Sequence, residues 1–230
     1  MSSFLNNSVF FGVVVSLFGY QLGLFLKRKF KNPFFNPLLI AIIFVMIILA
    51  IFKIDYKNYN EGAKYISYLL TPATVCIALP LYQQRKLLRE NIKAILIGVT
   101  AGVLASLGSV LILAKLFCLG HAEYVTLLPK SITTAIGMGV SEELGGIVTI
   151  TVAVIIITGV LGNIVGAIVC KIFKINHPIA KGLALGTSAH AIGTAKAMEM
   201  GEIEGAMSSL AIAVAGLLTV VGCAIFANFM

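Results

Sequence analysis

Long apolar runs separated by short basic loops leave this chain few folds to choose from. A helix that crosses a bilayer needs about 20 mainly apolar residues in succession. Runs of that kind recur at Ser8 to Leu26, Pro37 to Phe52, Ala63 to Tyr82, Asn91 to Phe117, Ile147 to Phe173 and Ala206 to Phe229. With 59% of its 230 residues hydrophobic and 11% charged, the chain could not cover the surface of a soluble domain. The reading is an all-α polytopic integral membrane protein with about six full transmembrane helices.

The first run has no basic stretch before it and no small-residue cleavage site after it. Lys27, Arg28, Lys29 and Lys31 follow it instead, as behind a retained first helix with its N-terminus outside. The net charge of +8 resides in a few short loops, which reads as a topology signal and not as a nucleic-acid surface. The location implied is the cell membrane, with multiple passes. The four cysteines, Cys76, Cys118, Cys170 and Cys223, have no ligand spacing, so no metal is expected. No nucleotide loop, metalloprotease motif or nucleophile elbow occurs. The sequence therefore points away from an enzyme, and no cofactor is expected.

Two stretches are too polar and too interrupted for lipid-facing helices. His121 to Gly146 carries Pro129-Lys130-Ser131-Ile132-Thr133-Thr134, then Gly137, Gly139 and the pair Glu142-Glu143. Pro178 to Gly201 carries Gly186-Thr187-Ser188-Ala189-His190-Ala191-Ile192-Gly193-Thr194. A shift of 56 positions lays Ala135-Ile136-Gly137 on Ala191-Ile192-Gly193, Gly145 on Gly201 and Val165-Gly166 on Val221-Gly222. Each unit is then a broken polar segment followed by a glycine-punctuated span. If both segments crossed the membrane, Lys171, Lys174 and Lys181 would face outside, against the positive-inside rule. Two re-entrant hairpins return that loop to the cytoplasm, beside Arg85 to Lys93. The hairpins then enter from opposite faces, an inverted repeat of the kind secondary transporters build around their sites. The alternative is that the breaks are packing kinks in an ordinary bundle. The third run, with Pro72 and Pro80, is expected to be kinked or broken as well. Residues 1–120 are read as a helical scaffold with an oligomer contact, and 121–230 as the transport region.

Broken helices free backbone N–H groups, which attract anions. Ser131, Thr133, Thr134, Thr187, Ser188 and Thr194 add hydroxyls, and His190 an imidazole, that together suit a substrate carboxylate, although hydroxyls also cap broken backbone. Lys130 beside a break in apolar surroundings reads as a counter-charge, or as a side chain that snorkels to the interface. His190 admits a proton-relay reading and a structural one. Glu142, Glu143, Lys196 and Glu199 are candidates for proton coupling or ion pairs, or are solvated hairpin ends. Glycine pairs four apart, such as Gly98/Gly102 and Gly162/Gly166, allow close helix approach and homo-oligomer packing.

The strings Pro129-Lys130-Ser131-Ile132-Thr133-Thr134, Gly182 through Ala195 and Glu204-Gly205-Ala206-Met207-Ser208-Ser209-Leu210 resemble the LrgB/CidB family, and the likeness spans nearly the whole chain. One departure is Ala135-Ile136-Gly137, where many members carry a proline after the threonine pair. The resemblance implies two functions. One is an antiholin-like or holin-like modulator of murein hydrolase activity and autolysis, working with a smaller LrgA/CidA-type partner. The other, from plastid relatives similar to glycolate/glycerate transporters, is the movement of small monocarboxylates such as glycolate, glycerate, pyruvate or lactate. The broken helices, hydroxyls and lysine fit the transporter better, with a small carboxylate as substrate and the bilayer as solvent.

Overall fold

The computed structural model describes residues 10–30 and 35–230, with the side chains of residues 70, 71, 74, 77, 78, 80 and 81 outside the description. Ser8, where the first apolar run begins, and Lys31 lie outside the described residues. Every regular element among the described residues is helical, and they fall into two compact units, residues 1–76 and 77–230.

In the first unit, α1 (Phe11–Phe30) and α2 (Pro37–Phe52) form an antiparallel pair. Gly19 lies against Ala41 and Gly23 against Pro37, so glycines on one face of α1 let the backbones approach. Asn36 starts α2 by accepting from the amides of Leu38 (2.9 Å) and Leu39 (3.2 Å), with Pro37 in the first turn where no donor is needed. Lys53, at φ 50°, ends it. Helix α3 (Tyr56–Ser67) is amphipathic, with Lys64 and Glu61 paired at 2.8 Å, and its Tyr59 hydroxyl meets Ser16 of α1 at 2.8 Å. Helix α4 (Leu70–Gln83) follows. The third apolar run is thus divided, at Tyr68–Leu69 ahead of Pro72 and not at either proline. Pro72 falls in the first turn of α4, where its missing N–H removes no intrahelical bond.

The second unit begins within α4, at Ile77, and continues with α5 (Arg85–Glu90), α6 (Ile92–Leu116), α7 (His121–Leu127), α8 (Thr134–Glu143), α9 (Val148–Ile172), α10 (Pro178–Met200) and α11 (Glu202–Phe226), closed by a 3₁₀ turn at Ala227–Phe229. Among the described residues three helices are long and apolar enough to cross a membrane: α6, α9 and α11 with its closing turn. At 25 residues each, α6 and α9 reach about 37 Å, whereas the 16 residues of α2 reach about 24 Å. The all-α polytopic architecture expected from the sequence is present.

The repeat is more regular than the sequence discloses. The 56-residue shift carries the bounds of α6 onto those of α9. It also carries Cys118 (φ 51°) onto Lys174 (φ 54°), and the Leu119 amide to Ala114 carbonyl bond (2.9 Å) onto Ile175 to Cys170 (2.8 Å). Both helices therefore end in the same left-handed turn, and each is followed by a hairpin.

In the second hairpin, α10 is broken at Ala189 (φ −131°, ψ 16°) and His190 (φ 42°, ψ −137°). Gly182 packs on Glu204 and Met207, and Gly186 on Ser208 and Ala211, so the entry arm runs parallel to α11. Thr194 then reaches Ser208, and Met198 packs on Gly205, so the return arm runs antiparallel to it. A Cβ on Gly193 would stand 2.5 Å from the Leu185 carbonyl oxygen, although a continuous helix separates residues eight apart by about 12 Å. The chain has folded back. In the first hairpin α7 and α8 are separated by the turn at 128–133, and the return end closes on Thr126, whose Oγ1 accepts from the Ile147 amide at 2.7 Å. The Tyr124 hydroxyl donates to the Phe226 carbonyl at 2.9 Å, which places this hairpin at the C-terminal end of α11. The second hairpin sits at the N-terminal end. Two hairpins therefore enter from opposite faces, as an inverted repeat requires.

Candidate functional site

A cavity of about 860 Å³ lies between α6, the first hairpin turn and the entry arm of α10. Asn91 and His177 line its outer end, and Lys130 and Ser131 its inner part. The α6 wall is a stripe of small and hydroxyl residues, Ala94, Gly98, Gly102, Ser106 and Ser109, spaced three or four apart on one helical face. The absence of large side chains on that stripe is what leaves the space.

Lys130 is half-buried, and its Nζ donates to Ser106 Oγ (3.1 Å) and Ser131 Oγ (3.0 Å), while the two hydroxyls stand 3.0 Å apart. Among the described residues no carboxylate pairs with it. An ammonium group has three donors, so one remains beyond the two serines. The group lies about 21 Å along α6 from Ile92, just past the middle of that helix. Lys130 and Ser188 also line a second cavity of about 290 Å³ against α9, formed by Thr158, Gly162, Val165 and Gly166 among others.

Of the residues singled out in the sequence, Lys130, Ser131, Thr187 and Ser188 line the larger cavity together. Thr133, Thr134, His190 and Thr194 do not. Thr133 and Thr134 are half-buried at the start of α8, and Thr133 makes no side-chain cap. His190 is 3% exposed, its Nε2 is 3.0 Å from the Ile155 carbonyl oxygen, and a Cβ on Gly159 would meet its ring. It pins the hairpin tip to the middle of α9. Thr194 bonds the His190 carbonyl (3.1 Å) and the Ser208 hydroxyl (2.7 Å), which restores backbone bonding lost at the break. Asn163 donates to the Ile192 carbonyl at 2.7 Å to the same effect. Lys196 pairs with Glu199 at 2.9 Å, and Glu142 and Glu143 are exposed at the end of α8. No group of three or more metal-ligating side chains occurs among the described residues.

Ser106, Ser109, Asn91 and His177 are cavity residues that sequence reasoning missed. The first two sit in a run that reads as an ordinary span, and the signal available was their register with Gly98 and Gly102. Charge divides the two ends of this unit. Arg85, Lys86, Arg89, Lys93, Lys171, Lys174 and Lys181 gather at the end where Asn91 and His177 lie and outnumber Glu90, Glu199 and Glu202 there, whereas Glu123, Glu142 and Glu143 outnumber Lys115 at the other.

The model of the LrgB-like family matches residues 16–229. Proteins named antiholin-like protein LrgB from Bacillus mycoides (strain KBAB4), Bacillus cereus (strain B4264) and Bacillus anthracis (strain CDC 684 / NRRL 3495) are each 41% identical over 222 residues, covering 96% of this chain and 96% of each relative. No solved structure matches the chain.

Proposed function

The chain belongs to the LrgB-like family, and on that premise we propose that it acts in the cell membrane as an antiholin-like protein, and does so by carrying small monocarboxylates across the bilayer. The first half of this reading is supported by the name its relatives bear. The second is supported by one observation above others: a lysine ammonium near mid-membrane that bonds two serine hydroxyls and has no carboxylate partner among the described residues. An unneutralised charge at that depth is costly, by about 2.5–3.5 kcal/mol on insertion scales, and an anionic ligand is the counter-charge it lacks.

The basic end of the second unit faces the cytoplasm by the positive-inside rule, as do Lys27, Arg28 and Lys29 behind the first helix, so the N-terminus is outside. An anion is drawn to that end by Lys93, Lys171, Lys174 and Lys181 and enters between α6 and α10. Its carboxylate takes the remaining donor of Lys130 and the one hydroxyl proton that the Ser106–Ser131 bond leaves free. The opposed hairpins then open the site to one face or the other in turn. Effects on murein hydrolases and autolysis, with an LrgA/CidA-type partner, follow from carboxylate flux and membrane energetics.

The test is uptake of labelled glycolate and pyruvate into proteoliposomes under an inward-acid gradient, beside Lys130→Ala and beside leakage of an unrelated neutral solute. Saturable uptake that Lys130→Ala abolishes supports the carrier. Unselective leakage supports a pore. No uptake, with or without an LrgA-type partner, leaves the antiholin-like role as a purely regulatory one.

A further inference from the structure

One buried group in the cavity wall has no partner among the described residues. Thr187, 5% exposed, stands on the entry arm of α10 and lines the cavity that holds Lys130, yet its Oγ1 is buried without a hydrogen bond. Nearby hydroxyls are satisfied locally: Ser188 donates to the Ala184 carbonyl (2.7 Å), Thr194 to His190 (3.1 Å) and Ser209 to Gly205 (2.8 Å). A hydroxyl buried and unpaired costs stability, so its persistence in a cavity wall calls for a partner that arrives from outside the fold.

The surroundings fit that demand. A Cβ on Gly102 would stand 2.6 Å from the Thr187 methyl and 3.8 Å from its hydroxyl, so glycine at 102 is what admits this side chain. One 120° step about χ1 carries the hydroxyl into the methyl's place, between the arm and α6. The 56-residue shift lays Ser131 on Thr187, so the two hairpins contribute hydroxyls from matching positions to the same cavity. Gly102 and Ser106 are one turn apart on α6, about 6 Å, which sets Thr187 that far from the Lys130–Ser131–Ser106 cluster. In a 2-hydroxy or 2-oxo acid the C2 oxygen lies about 3 Å from the nearer carboxylate oxygen, from ordinary bond lengths. Hydrogen bonds of about 2.8 Å at each end let such a molecule bridge that gap. Lys130 is the one lysine or arginine among the lining residues, so a second carboxylate would find no second cation.

We infer that Thr187 is a specificity-determining residue, whose hydroxyl takes the C2 oxygen of a short 2-hydroxy- or 2-oxo-monocarboxylate while Lys130, Ser106 and Ser131 hold the carboxylate. This rests on the carrier reading and sharpens it. Acids without the C2 oxygen bind through the carboxylate alone and leave Thr187 unpaired.

Equilibrium binding of radiolabelled glycolate and acetate to the full chain in nanodiscs tests it without requiring turnover. The native chain is expected to prefer glycolate by about tenfold, the effect of one buried hydrogen bond. Thr187→Val is expected to bring that ratio to about one with acetate affinity unchanged, and Thr187→Ser to keep the preference. A Thr187→Val chain that retains the native ratio overturns the assignment, as does a native chain that binds both acids equally while the carrier reading stands. A native chain that binds neither acid, with the circular dichroism of folded helices, overturns the carrier reading and this assignment with it.

Discussion

Alanine at Gly102 tests the cavity wall most directly, because the structure gives the size of the conflict. The new Cβ would lie 2.6 Å from Thr187 Cγ2, whereas its distances to Thr187 Cβ (3.4 Å) and Oγ1 (3.8 Å) are ordinary contacts. Carbon atoms settle at about 3.5–4.0 Å, so one methyl pair overlaps by about 1 Å. Overpacking of that kind costs about 1–3 kcal/mol. Replacing a mid-helix glycine returns about 1 kcal/mol of helix propensity. Gly102→Ala should therefore destabilise by about 0–2 kcal/mol in the native background. Thr187→Ser lacks Cγ2 and loses about 1 kcal/mol for the missing methyl. In that background nothing opposes the propensity gain, and Gly102→Ala should stabilise by about 1 kcal/mol. The propensity contribution cancels across the cycle, so the coupling energy, about 1–3 kcal/mol, is the overlap itself. Reversible unfolding of the four proteins in mixed detergent micelles measures it. A coupling below about 0.5 kcal/mol would refute the placement of the entry arm against α6.

Gly186→Ala should cost about 1–3 kcal/mol in the same assay, because its Cβ would meet the Ser208 carbonyl oxygen, Ala211 Cβ at 2.8 Å and Ser208 Cα at 2.9 Å, mostly backbone that cannot rotate away. Gly139→Ala, with nothing within 4 Å, should be neutral or gain up to about 1 kcal/mol. His190→Gln should lower stability by about 1–3 kcal/mol while glycolate affinity changes less than about threefold, since the imidazole bonds the Ile155 carbonyl and does not line the cavity. Loss of glycolate binding in folded His190→Gln would count against that separation. In chains with a single cysteine, Cys118, exposed in the turn after α6, should react with an impermeant maleimide from outside, and Asn91→Cys from the cytoplasm. Labelling of both from one side would refute the crossing of α6.

The hairpins were legible because glycine, proline and hydroxyl clusters interrupt an apolar background in which little else is punctuated. The break at Ala189–His190 carries neither glycine nor proline at the break itself, and was visible only through the polar residues around it. The repeat was legible as a few coincident glycines. Its full extent was not, because the matching ends of α6 and α9 are built from backbone turns at Cys118 and Lys174, residues with no common chemistry. The cavity was half legible. Lys130, Ser131, Thr187 and Ser188 stood out, but Ser106 and Ser109 belong to a helix whose apolar majority conceals which face is turned inward. In lipid both faces are apolar, so periodicity does not mark the interior as it does in water.

The same repeat explains why the cavity has one charge and not two. The 56-residue shift carries Ser131 onto Thr187 but Lys130 onto Gly186. Gly186 packs against the backbone of Ser208, where no side chain fits, so the second hairpin trades a cation for close contact with α11. Lys130 in turn lines both the α6 cavity and the smaller α9 cavity, together with Ser188. On the proposed carrier reading, this single cation, which reaches the space on each side of the entry arm, holds one anion while the hairpins exchange positions. A passive pore gains nothing from that asymmetry, because a lysine with no carboxylate partner among the described residues would only slow the ions it attracts.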